Sequence, residues 1–84
     1  MKIIKITAMW CPSCLIMNDL ITDIVNESSF ELISYDFDID QDKVEKYNVG
    51  TILPVLIKLD DNDNEIKRIN GEHSKKEILE FIEG

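Results

Sequence analysis

Both cysteines of this 84-residue chain fall in one stretch, Trp10-Cys11-Pro12-Ser13-Cys14, with two residues between them. That spacing suits a redox dithiol, which alternates between paired thiols and a disulfide. The chemistry is thiol–disulfide exchange: one thiolate attacks a substrate disulfide and the second thiol resolves the mixed disulfide. The flanks assign the roles. An apolar strand-like run, Lys2 to Thr7, precedes the pair, and an amphipathic run, Leu15 to Val25, follows it. Pro12 suits the first position of a helix, where its missing N–H costs nothing, so Cys11 falls at or near the N-cap. Unpaired N–H groups and the positive end of the helix dipole favour a thiolate there. Cys11 is read as the exposed nucleophile. Cys14, one turn further in and against the core, is read as the resolving thiol.

Other side chains with chemical potential are weaker candidates. Cys11, Cys14 and His73 could share a metal, but a single histidine and the lack of a second CxxC leave the ligand set short. No metal site and no cofactor are therefore expected. The run Asp60 to Glu65 alternates Asp and Asn as a calcium loop does, yet Glu65 and Gly71 stand where glycine and glutamate would be needed. It reads as a hairpin turn. Trp10 reads as a substrate contact beside a reactive cysteine, and Met9 and Met17 as packing residues.

The rest of the composition sets limits. The chain is long enough for one domain, residues 1–84, with a modest core. A net charge of −8 with no basic patch argues against nucleic acid and anionic membranes. The N-terminal Met1-Lys2-Ile3-Ile4-Lys5-Ile6 is broken by Lys5 and lacks a small-residue cleavage site, and no long apolar run follows. A cytoplasmic protein is expected, with thiols reduced at rest.

Periodicity supplies the elements. Lys2 to Thr7 is a strand covered on both faces. Pro12 to about Glu27 is a helix with two apolar rows, Ile16–Leu20–Ile24 and Met17–Ile21–Val25. Glu31 to Phe37 is a second strand. Asp40 is placed to cap a short helix from Gln41 to about Tyr47, closed by Gly50. Pro54 to Leu59 is a third strand, whose proline fits only at its first position. After the turn, Glu65 to Ile69 returns as a fourth. Ser74-Lys75-Lys76-Glu77 is a capping box that opens a last helix. The order is βαβαββα.

CxxC after the first strand, a proline opening the third, a closing hairpin, Gly71 and a capped terminal helix together resemble the thioredoxin family over the whole chain. The resemblance implies an α/β minimal thioredoxin fold, with a central four-stranded mixed sheet flanked by helices. It lacks the extra N-terminal strand and helix of full thioredoxins, which brings its outline nearer to glutaredoxins. Trp10 matches the family motif, whereas Pro12-Ser13 differs from the usual Gly-Pro. Leu53-Pro54 matches the family's cis-proline, which faces the dithiol and offers backbone groups to a bound substrate strand. Trp10, Pro12, Leu53 and Pro54 are thus the expected substrate-binding residues.

One departure stands out. Thioredoxins usually bury an acid six residues before the first cysteine, and pair it with a lysine 22 residues after the second. Those positions here hold Lys5 and Asp36, the charges exchanged. Two arrangements are open: a buried Lys5–Asp36 pair that tunes the thiols, or an exposed Lys5 and a solvated Asp36. The expected activity is reduction of protein disulfides by a monomer, with a thioredoxin-reductase-type flavoprotein as electron donor. A glutaredoxin-like, glutathione-dependent reductant is the alternative. Gly71-Glu72 supplies only one glycine of that family's Gly-Gly-Asp, and an acidic chain suits glutathione poorly. A non-catalytic metal-carrying or redox-sensing module is the other alternative.

Overall fold

Residues 1–50 and 52–83 are described by a computed structural model of the chain. The elements are β1 (Lys2–Thr7), α1 (Pro12–Asn26), β2 (Glu31–Asp36), α2 (Gln41–Lys46), β3 (Val55–Leu59), β4 (Glu65–Asn70) and α3 (Lys75–Glu83), in the expected order. The sheet runs β2-β1-β3-β4. β1 pairs parallel with β2 and antiparallel with β3, and β4 closes the sheet antiparallel to β3. The sheet is therefore mixed, as expected.

Alternation along the central strands divides the core between the two faces. Ile3 and Leu56 pack with Met17, Ile21, Ile24 and Val25 of α1 and with Ile78, Phe81 and Ile82 of α3. On the other face Ile4, Ile6, Val55, Ile57 and Leu59 pack with Val44 of α2, and Ala8, Cys11, Cys14 and Leu53 join that cluster. The dithiol thus belongs to the layer under α2, although α1 carries it.

Several boundaries and faces differ from the sequence reading, each for a local reason. Ile16 is 69% exposed and Leu20 only partly buried. Once Cys14 faces inward, a residue two positions on lies about 200° round the helix and must face outward. The buried stripe is instead Cys14, Met17, Ile21, Ile24 and Val25. β2 stops at Asp36 because that side chain turns the backbone, its Oδ1 accepting the N–H groups of Asp38 (2.8 Å) and Ile39 (3.0 Å). Asp40 precedes α2 but does not cap it with its carboxylate, which accepts the Asp36 N–H at 2.9 Å. The other local signals hold. Ser74 and Glu77 exchange capping-box hydrogen bonds. Asp60 Oδ1 accepts from the N–H groups of Asn62 and Asn64 in the β3–β4 turn.

Lys58, in the central strand β3, is buried. It faces Phe30 and donates to the Ile82 carbonyl at 2.8 Å, with its ammonium 5.3 Å from the Phe30 ring centroid. α3 has no basic residue in its own last turn, so the sheet supplies the cation its C-terminal carbonyls favour. Lys58→Met keeps most of the stem volume but removes a charged hydrogen bond and a cation–π contact. It should lower stability by about 2 kcal/mol in urea denaturation.

Candidate active site

α1 begins at the dithiol. Cys11 is the N-cap, with extended backbone (φ −95°, ψ 110°), and Pro12 occupies the first turn. Cys11 Sγ accepts the Cys14 N–H at 3.3 Å, so the sulfur stands where a capping oxygen would. The first turn of α1 carries no acidic residue, which leaves its positive end to the sulfur. The expectation that exposure distinguishes the two thiols is corrected: Cys11 is 7% and Cys14 2% exposed, and both are buried. Environment separates them instead. Burial foremost, and then the hydrogen bond to Cys11, push the Cys14 thiol up to about 11, against the pull of a backbone hydrogen bond from Ala8. Cys14 is therefore a protonated thiol near neutral pH, held one turn inside a capping sulfur.

The loop before β3 lies against that sulfur. The Leu53–Pro54 bond is cis. Leu53 and Pro54 are buried, and the Leu53 carbonyl accepts from the Cys11 thiol at 3.6 Å. Gly71 fastens the loop from the other side, its N–H donating to the Pro54 carbonyl at 2.8 Å. Its φ of +84° is open to glycine at little cost. Trp10 is half exposed and is held by two neighbours that sequence reasoning missed. Its Nε1–H donates to Asp38 Oδ2 at 2.8 Å, and its ring meets Phe37 edge-on at 5.8 Å. Both neighbours follow β2, and only the fold brings that loop to Trp10. Met9 and Ile52 are exposed on the segments that carry Trp10 and Leu53. His73 is turned away to local partners, with its ring nitrogens at the Asn70 carbonyl and at Glu77.

The Lys5–Asp36 pair does not form. Lys5 is buried, so it is not a surface residue, but its ammonium donates to Asn18 Oδ1 on α1. Asp36 is paired in register with Thr7, two positions beyond Lys5, and its carboxylate is occupied by the turn amides after β2. Burial draws Lys5 below the ordinary lysine value, and the charges of Asp19 and Cys14 oppose that. Asn18 was missed as a site residue. Its signal was present, since it lies four residues after Cys14 and hence one turn along the same helix. In denaturation of single and double variants, Lys5→Met and Asp36→Ala should be additive within about 0.5 kcal/mol. Lys5→Met and Asn18→Ala should couple by more than that.

A pair of cysteines at a helix N-terminus, faced by a cis-proline loop on a β2-β1-β3-β4 sheet, is an arrangement with known relatives. The family model for thioredoxin matches residues 1–84. Thioredoxin 1 from the thermophilic eubacterium Thermosipho africanus is 28% identical, with a TM-score of 0.88 over 99% of this chain and 91% of its own. Fasciola hepatica thioredoxin is 24% identical, with a TM-score of 0.84 over 98% and 79%. Reduced thioredoxin pre-protein from Schistosoma mansoni, at 20% identity, has a TM-score of 0.86 over 96% and 74%. A comparison with curated protein sequences finds no match. The match over the full length, and not the CxxC alone, decides the matter: the chain belongs to the thioredoxin family of thiol–disulfide oxidoreductases.

Proposed function

We propose that this protein reduces disulfides of other proteins in the cytoplasm, as a monomeric domain that a thioredoxin-reductase-type flavoprotein returns to the dithiol. The observation that carries this reading is the Cys11 sulfur capping α1, with the protonated Cys14 thiol one turn behind it. A negative charge on Cys11 is stabilised by the helix N–H it already accepts, so Cys11 is the attacking group. The Cys11 thiolate displaces one sulfur of a substrate disulfide and forms a mixed disulfide. Cys14 then gives up its proton and attacks Cys11, releasing the second substrate sulfur and leaving Cys11–Cys14 oxidised.

Protein substrates suit the surroundings better than glutathione. Exposed Met9, Trp10 and Ile52 offer apolar area to a polypeptide on the segments beside Cys11. The buried Leu53-Pro54 segment supplies the backbone edge along which an extended substrate strand would lie. Pro12 shapes the helix start that faces such a strand. The net charge of −8 disfavours an anionic tripeptide. Trp10, Pro12, Leu53 and Pro54 are thus the proposed substrate-binding set, and Cys11 and Cys14 the catalytic pair.

Insulin-disulfide reduction, run in parallel with a thioredoxin-reductase system and with glutathione plus its reductase, tests the reading. Turnover should be sustained by the flavoprotein system, and turnover by glutathione alone would replace the proposed donor. Cys11→Ser should lower activity by about a thousandfold. Cys14→Ser should accumulate a mixed disulfide on Cys11, visible by mass spectrometry.

The pH profile has a defined sign. A thiol raised to about 11 is almost wholly protonated at neutral pH, so its thiolate fraction grows with rising pH. Closure of a preformed Cys11 mixed disulfide should therefore accelerate roughly tenfold per pH unit from about pH 6 to 8, without a plateau. A plateau reached below pH 8 would show that the Cys14 thiol is not raised.

A further inference from the structure

The proposed mechanism leaves one buried charged group unused. Lys5 lies in the middle of β1, and its register neighbours, Ser34 of β2 and Leu56 of β3, carry no charge. The ionisable groups that act on it, Asp19 and Cys14, both come from α1. Its ammonium is fixed by Asn18, and Asn18 and Cys14 stack on α1 about 6 Å apart. The far end of β1 meets the same turn of α1: Ala8 contributes a backbone hydrogen bond to Cys14 and accepts the Cys11 N–H through its carbonyl. Strand and helix thus place a cation one helical turn from the resolving cysteine.

The partner matters as much as the cation. An ammonium has only donors, so the Asn18 atom facing it is the amide oxygen. A neutral amide orients Lys5 without cancelling its charge, which a carboxylate in the same place would do. Asp19 is exposed, and it acts on Lys5 by charge alone. The field of Lys5 remains available to an anion forming at Cys14.

On the disulfide-exchange reading above, we propose that Lys5, oriented by Asn18, is a positioning residue that stabilises the Cys14 thiolate during resolution. In the mixed disulfide, the Cys14 S–H loses its proton to water beside the fixed ammonium. The Cys14 electron pair then attacks Cys11 Sγ and forms the Cys11–Cys14 bond. The bond from Cys11 to the substrate sulfur breaks, its electron pair leaves on that sulfur, and the released thiolate takes a proton from water. The dithiol is oxidised by two electrons, the substrate disulfide is reduced by two, and Lys5 stays an ammonium throughout.

The test titrates Cys14 by thiolate absorbance in a Cys11→Ser background, where the second thiol is absent. Lys5→Met should raise the Cys14 pKa by about one unit, and Lys5→Arg, which restores the charge, should hold it within about 0.3 unit. Loss of a merely structural lysine would not be rescued in this way. Asn18→Leu frees Lys5 from its orienting partner without adding a charge beside Cys14, and should raise the Cys14 pKa in the same direction, which covers the case in which Lys5→Met fails to fold. A Cys14 pKa unmoved by Asn18→Leu and by any folded Lys5→Met overturns the proposal. So does an Arg variant shifted as far as Met. Insulin reduction by the wild-type chain is scored separately: if it proceeds while Cys14 ignores Lys5, the oxidoreductase reading stands and this inference falls.

Discussion

The hydrogen bond from the Cys14 N–H to Cys11 Sγ is the contact on which the site depends, because it makes a sulfur do the work of a helix cap. A cap with a side-chain oxygen would satisfy the same N–H but could not exchange with a disulfide. With a cysteine in that place, the start of α1 is stabilised by the atom that also carries the chemistry. Everything around it serves to hold that start in position. Ala8 follows β1, its carbonyl accepts the Cys11 N–H at 3.2 Å, and Pro12 fixes the first helical φ. The Leu53 carbonyl closes on the sulfur from the loop before β3, and Gly71 holds that loop by the Pro54 carbonyl. The ends of two central strands, a helix and the start of the loop after β4 are therefore tied together around Cys11.

The two thiols differ by placement, with exposure nearly equal. Both sulfurs lie in the apolar layer of Ala8, Leu53 and Val55, and one turn of helix takes the second away from the capping position. Burial there disfavours the Cys14 anion, while the first sulfur accepts a helix N–H. A small domain gains this asymmetry without any further residue, since helix geometry enforces it. The acid-rich surface leaves the apolar side chains near the cysteines as the natural point of approach for a partner.

Much of this was legible in the sequence because it is encoded locally. The CxxC, the proline after it, Ser74 with Glu77, and the Asp60–Asn64 turn each act within a few residues, and each appears in the fold as expected. The four-stranded mixed sheet followed from the element order through the family resemblance, and its strand order did not. What could not be read depends on register and on side-chain choice between competing partners. The family's positions set Asp36 opposite Lys5 as one of two open arrangements, but the amides of Asp38 and Ile39 claim its carboxylate. Asp40 was assigned to its own helix and instead holds Asp36 N–H. Trp10 gains Asp38 and Phe37 only because β2 lies beside β1. Ile16 looked like core because its row was apolar, and only the inward direction of Cys14 decides that it is not.

The two buried lysines make a useful contrast. Both lie on the sheet face covered by α1 and α3, and both reach a helix. Lys58 goes to the C-terminal end of α3, where carbonyls and the helix dipole both favour a cation. Its presence is explained by stability alone. Lys5 goes to the second turn of α1, near the end where the dipole disfavours a cation, and its partner is a neutral amide. Burial of its ammonium is opposed mainly by the charges of Asp19 and Cys14. An apolar residue at that position would fill the face between Ile3 and Leu56 with less desolvation. A position that is poor for folding and close to a thiol that must ionise is understood more readily through the second fact than the first.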